Sequence, residues 1–178
     1  MSLVIDTTGD DILTAIRSFI LSVLPTGVEV VAGLDNNVPM PAGDFVVVTA
    51  RASDRLALNN IDTYNEPSGS GEPPTLSSVT PWKYRVELDI YSAHSAQYAL
   101  MLVGILRSTY GVDNFPAPVV PLDCDDPKQL PFITAGQNWL ERWRVEFAAQ
   151  VNVTVTADTT SATSLTVDLA PIDQTFAP

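Results

Sequence analysis

The sequence predicts an α+β fold: a β-sheet with two packed helices and a C-terminal extended arm. Three observations carry this. Two segments place apolar residues at three- and four-residue spacing, two others alternate apolar and polar residues, and residues 157–178 are small, polar and acidic with no local core to cover. On this reading residues 1–156 form one domain and residues 157–178 an arm, a division that suits 178 residues.

Thr8, Asp10 and Asp11 supply a cap and an acidic first turn ahead of Ile12, Ala15, Ile16, Phe19, Ile20, Val23 and Leu24. That is a helix with one buried face, and Pro25-Thr26-Gly27 ends it. Val28–Val31 and Phe45–Thr49 are β-branched enough to be strands, and Arg55–Leu58 is a candidate for a further short one. Residues 59–81 contain four prolines and two glycines in a polar run and read as a long loop, the kind of connection that meets partners.

Trp82–Tyr91 gives the clearest strand. Trp82, Tyr84, Val86, Leu88 and Ile90 fall on a core face, and Lys83, Arg85, Glu87, Asp89 and Tyr91 on a wet or interfacial one. Ser92 or Ser95 opens the second helix, with Ala96, Ala99, Leu100, Val103 and Leu106 as its apolar stripe and its end near Tyr110-Gly111. Five prolines and the run Asp123, Asp125, Asp126 argue against regular structure from Asn114 to Pro131, save a short strand near Phe132–Thr134. Arg142–Thr156 then alternates as a strand of roughly 45–50 Å, long enough that its C-terminal half is expected to bend or leave the sheet. Val151–Val155 and Ser164–Leu169 are expected to form a two-stranded extension that docks on a neighbouring subunit.

The balance of 21 acidic against 9 basic residues, a net charge of −12, opposes the counterion-release binding that holds proteins on duplex DNA. No apolar stretch is long enough to cross a bilayer as a helix, and the N-terminus lacks the pattern of a signal peptide, so neither a membrane nor export is expected. Cys124 is the only cysteine and His94 the only histidine. A nucleophile–base pair of the two is disfavoured because the acids flanking Cys124 oppose a thiolate. Asp123, Asp125 and Asp126 lack the glycine and glutamate that close a calcium loop, Lys128 and Thr134 standing in those places. No phosphate loop, dinucleotide turn or zinc motif is present, so neither catalytic, cofactor-binding nor metal-binding residues are expected.

Three stretches together resemble the tail (neck) terminator family of contractile-tailed bacteriophages. They are Phe45–Thr49 followed by the Asn60-Ile61-Asp62-Thr63-Tyr64 segment, Tyr84–Tyr91 with its Asp89-Ile90-Tyr91 ending, and Ala96–Ser108 closing on Leu106-Arg107-Ser108. The resemblance implies a structural, non-enzymatic virion protein without cofactors. It implies a hexameric ring that caps the tail tube, ends its growth and joins the tail to the head connector. The partners implied are other copies of the chain (a homohexamer), the tail tube protein, a head–tail connector or neck protein, and the tail sheath; genomic DNA passes through the channel without specific binding. The location implied is the tail top or neck of the virion, after assembly in the host cytoplasm. Another ring-forming head–tail completion or tube-like component is the alternative. For subunit and partner contacts the expected residues are Asp62 and Tyr64, the charged face Lys83, Arg85, Glu87 and Asp89, and Leu165, Val167 and Leu169 of the arm.

Overall fold

The structure, a computed structural model, describes residues 3–33, 39–57, 60–66, 73–130, 132–133 and 139–160. The elements in chain order are β1 (Leu3–Ile5), α1 (Gly9–Val23), β2 (Glu29–Ala32), β3 (Phe45–Arg55), β4 (Ile61–Asn65), β5 (Thr75–Tyr91), α2 (Ser95–Leu106), α3 (Thr109–Asn114), β6 (Val119–Cys124), β7 (Lys128–Gln129), β8 (Phe132–Ile133), β9 (Trp139–Leu140) and β10 (Arg142–Asp158). The α+β class holds, with three helices described instead of two.

β5 and β10 form the spine of an eight-stranded sheet, antiparallel from Arg142 opposite Tyr91 to Asp158 opposite Thr75. β3 pairs antiparallel with β5, and β2 lies parallel to β3. β4 continues along the β5 edge beyond β3, while β7, β6 and β1 follow one another along the far edge of β10. β8 and β9 make a separate two-stranded ribbon.

α1 and α2 cover one face of this sheet. Thr8 caps α1 with a reciprocal capping box: its hydroxyl accepts from the Asp11 N–H at 3.3 Å, and the Asp11 carboxylate accepts from the Thr8 N–H at 2.8 Å. Ile12, Ala15, Ile16, Phe19 and Ile20 are buried as their spacing predicts, and Arg17 ties the helix to the sheet by donating to the Val30 carbonyl at 3.1 Å. Opposite them lie Val86, Leu88 and Ile90 of β5 and Val145, Phe147, Ala149 and Val151 of β10, all in one core cluster.

Several sequence expectations need correction. The segment 59–81 contains β4 and the first seven residues of β5, so β5 is nearly twice as long as the strand read from Trp82 onward. Pro81 lies within that strand without breaking it. Its carbonyl accepts from the Leu56 N–H at 3.0 Å, so its ring nitrogen points to the same edge, at the seam where β3 ends opposite Trp82 and β4 has yet to begin opposite Val79. The strand expected at 45–49 runs on to Arg55, which absorbs the start of the candidate strand at 55–58.

Because β5 begins at Thr75, every residue of β10 has a partner on it, and the C-terminal half of β10 stays in the sheet to Asp158. Ala157 and Asp158 are the last two residues of that strand, opposite Leu76 and Thr75. The other edge of β10 meets β6 up to Val151, Asp6 at Thr154, and β1 from Val155 to Ala157. The strand expected at 164–169 lies outside the described residues.

The prolines of 114–131 do not prevent β6 and β7. As an edge strand β6 tolerates Pro121, and a register shift opposite Ala148–Ala149 takes up the irregularity. The second helix also divides. α2 stops at Leu106, and Ser108 caps α3, its hydroxyl accepting from the Gly111 N–H at 3.4 Å. A Cβ on Gly111 would stand 2.5 Å from the Ile105 carbonyl oxygen, so the close seating of α3 on the end of α2 needs glycine there.

Finally, the stripe that α2 buries is Ser95, Ala99, Leu102, Val103 and Leu106, and Leu100 is 61% exposed. This helix is apolar all round its circumference, so spacing alone does not select the inward face.

Candidate functional site

The helix-free outer face of the sheet is built from residues that share rows across neighbouring strands. Phe45, Tyr91 and Arg142 occupy one row, Asp89 and Arg144 the next, then Thr49, Glu87 and Glu146, then Arg51, Arg85 and Ala148 with Asp123. Phe45 stacks on Tyr91 with ring centroids 4.7 Å apart, and the Arg142 guanidinium lies 5.5 Å from the Tyr91 centroid.

Asp89 is the centre of this face. It accepts two hydrogen bonds from Arg142, at 3.1 and 2.7 Å, and two from Arg144, at 2.9 and 3.2 Å. Arg144 also pairs with Glu87 at 3.4 Å, and Glu87 with Arg51 at 3.5 Å. The result is a chain of alternating charge across β10, β5 and β3. Burial pushes the Asp89 carboxyl up, but the hydrogen bonds and charges of Arg144 and Arg142 outweigh it and hold the group below its ordinary value.

Beside the network lies an open cleft of about 290 Å³ floored by Ala148, with Arg51, Lys83 and Arg85 on one side and Glu146, Asp123 and Asp125 on the other. This charged hollow suits ion pairs with another protein surface. The expected residues Lys83, Arg85, Glu87 and Asp89 are together on this face, but their roles differ. Glu87 and Asp89 hold the chain's own arginines, while Arg85 is exposed at the cleft.

Asp62 and Tyr64 sit elsewhere. They lie on β4, opposite Ser78 and Leu76, and face the same way as the core. Here the sheet runs past the helices. From Asn152 to Asp158, roughly 23 Å at about 3.3 Å per residue, β10 continues beyond the fully buried Val151 with β1, β5 and β4 beside it. The core-side face of this four-stranded extension carries the row Leu3, Ala157, Leu76, Tyr64 and the row Ile5, Val155, Ser78, Asp62. Leu3, Ile5, Tyr64 and Leu76 are 70, 54, 45 and 41% exposed. The other face is stitched by hydroxyls and an amide: Ser77 meets Thr156 at 3.1 Å, and the Asn65 amide donates to Ser77 at 3.3 Å. Leu165, Val167 and Leu169 lie outside the described residues.

Reading by segment missed Arg51, Arg142 and Arg144 as partners of Glu87 and Asp89. The two-residue spacing on both segments, arginines on one and acids on the other, carries the signal once the strands are known to be neighbours. It also missed Leu3, Ile5 and Leu76, for which no local signal exists.

Cys124 is buried, and burial, with Asp125, Asp123 and Asp126 adding to it against Arg107, pushes its thiol up to about 11. Its Sγ donates to the Asp125 carbonyl at 3.6 Å, while His94 stands at the start of α2. Asp126 is taken by Arg107 at 2.8 Å, and Asp123 accepts from the Cys124 N–H at 2.8 Å. Among the described residues no cluster of three metal-ligating side chains forms, and no helix is long and apolar enough to cross a membrane.

Comparison with known proteins gives one family. A family model described as phage neck terminator protein matches residues 10–176. No curated protein matches the chain.

Proposed function

Since the chain belongs to the phage neck terminator family, a family of structural virion proteins of the neck, we propose that it closes the tail tube as a hexameric ring. One ring face matches the last ring of tube subunits, so that no further subunit adds. The opposite face presents a different surface to the head connector or neck protein, and in a contractile tail the sheath meets its rim. Assembly takes place in the host cytoplasm before heads and tails join.

The observation that best supports this reading is the extension of the sheet beyond its helices. It leaves an ordered apolar face uncovered in a protein whose charged cleft holds no reactive constellation, and an interior-like face on the outside marks protein contact. Lys83 and Arg85, steadied by the Glu87 and Asp89 network behind them, make the charged contacts between subunits, and Asp62 and Tyr64 make contacts from the extension. Leu165, Val167 and Leu169 of the arm reach a neighbouring subunit or a neck protein. DNA passes without specific binding, because a channel built from chains of net charge −12 repels phosphates.

The test is made in phage. Removing residues 161–178 spares every strand described and is expected to leave the monomer folded, with an unchanged melting midpoint, while virions show tails without joined heads. Cryo-electron microscopy of intact particles is expected to show a six-fold ring of this protein at the tail top. Purified virions that lack the protein, or normal head joining after the truncation, would reject the ring-capping reading or the arm's part in it, respectively.

A further inference from the structure

We propose that in the assembled ring the apolar face of the extension on one copy docks across the outer side of α2 on the next copy. The inference rests on the ring reading and names the surfaces that build it.

α2 contains no charged residue, in a chain that carries 21 acidic and 9 basic ones. Its inward stripe is filled by its own sheet. Its outward stripe consists of Gln97, Leu100, Met101 and Gly104, at the three- and four-residue spacing of one helix face, and all four are exposed. A Cβ on Gly104 would meet nothing within 4 Å, so the glycine answers no packing need inside the monomer. An exposed glycine within a helix weakens it. What it leaves is bare backbone one turn beyond Leu100 and Met101.

Among the described residues two of the exposed apolar surfaces are thus the extension face of Leu3, Ile5, Tyr64 and Leu76, and the outward stripe of α2. They cannot cover each other within one chain. The extension prolongs the same strands on which α2 lies, and the outer stripe of α2 points away from that sheet. Between copies nothing forbids it, and charge favours it. Copies of net charge −12 repel wherever their acids face one another, whereas of these eight residues none is charged and Asp62 is the one acid in the two rows of the extension. In the contact α2 becomes a middle layer, with its own sheet on one side and the neighbour's sheet on the other. Because the two surfaces differ, the contact is head-to-tail, and repetition about an axis closes a ring.

The experiment uses the full-length protein in three forms: wild type, Leu76→Asp and Leu100→Asp. Both positions are exposed, so each variant is expected to melt with the wild type. Association, measured by sedimentation velocity over a concentration series, is expected to weaken about 30-fold or more in each, as for a hot-spot residue in the middle of an apolar contact. Orientation is read from Leu76→Cys and Leu100→Cys proteins treated with a short bis-maleimide. A mixture of the two is expected to cross-link, and neither alone. Wild type supplies the control for Cys124, which is buried. Cross-linking of either variant with itself, no cross-link in the mixture, a wild type that stays monomeric throughout, or association undiminished in both aspartate variants overturns the docking. The last of these leaves the ring itself standing, whereas absence from the virion neck removes the ring.

Discussion

Asp89→Ala is expected to lower stability by about 3–5 kcal/mol, the range for removing one partner of a buried ion pair. Both arginines on Asp89 are largely buried, with side chains 19 and 25% exposed, and the substitution leaves each without its bidentate partner. At about 2–4 °C per kcal/mol for a chain of this size, the melting midpoint should fall by about 10 °C. Chemical denaturation gives the free energy directly. Asp62→Ala, on the exposed strand β4, makes the comparison, with an expected change within about 0.5 kcal/mol. An Asp89→Ala protein as stable as the wild type would show that the network across β10, β5 and β3 is dispensable for the sheet.

The same carboxylate sets a pH signature. Its value in the folded protein lies below the ordinary 3.8, so the folded state holds the ionised form more tightly than the unfolded chain does. The stabilisation is therefore fully present above 3.8 and is lost as pH falls through the lower, folded value. Denaturation midpoints measured from pH 7 down to pH 2 should be flat at the upper end as far as this group is concerned and fall at the acid end. Asp89→Ala should flatten part of that acid fall. A steeper fall in the variant would mean that Asp89 is protonated in the native state.

What could be read from the sequence was what depends on local period. The first helix, the Trp82–Tyr91 face and the alternation of β10 each state their buried side within one segment, and the core follows. The extension could not be read in the same way. Thr75–Pro81 is a strand because β10 lies on one edge and β4 on the other, and its Ser and Thr side chains find partners such as Thr156 and Asn65 far along the chain. Alone, that composition suits a loop equally well. The local sequence sets Asp62 and Tyr64 in a loop, yet they stand on a strand and face the core side. Likewise the charged side of β5 read as wet. Only the neighbouring arginines of β10, a non-local fact, turn Asp89 into a buried, fully engaged carboxylate. Burial of the charge was unreadable for the same reason as the outward turn of Leu100: both are settled by which element packs where.

The second large effect separates folding from assembly. Phe19→Ala is expected to cost about 3–5 kcal/mol, the usual range for emptying a buried phenylalanine site. Phe19 is 1% exposed, stacks on Phe115 with centroids 4.3 Å apart, and through Phe115 reaches Phe147, 6.2 Å further on, so one aromatic column joins α1, the segment after α3, and β10. Its removal strips contacts from all three and leaves a void that strands fixed by register cannot close. Phe19→Leu, which fills part of that volume, should recover roughly half of the loss. Both variants should assemble in proportion to their folded fraction, so that lowering the temperature or adding a stabilising osmolyte restores rings. Leu100→Asp should behave in the opposite way, folding like the wild type and gaining no rings from added osmolyte. If instead Phe19→Ala folded normally and still failed to assemble, the aromatic column would have to act on the subunit contact itself, and the division between a core that holds the protomer and an uncovered face that joins protomers would be wrong.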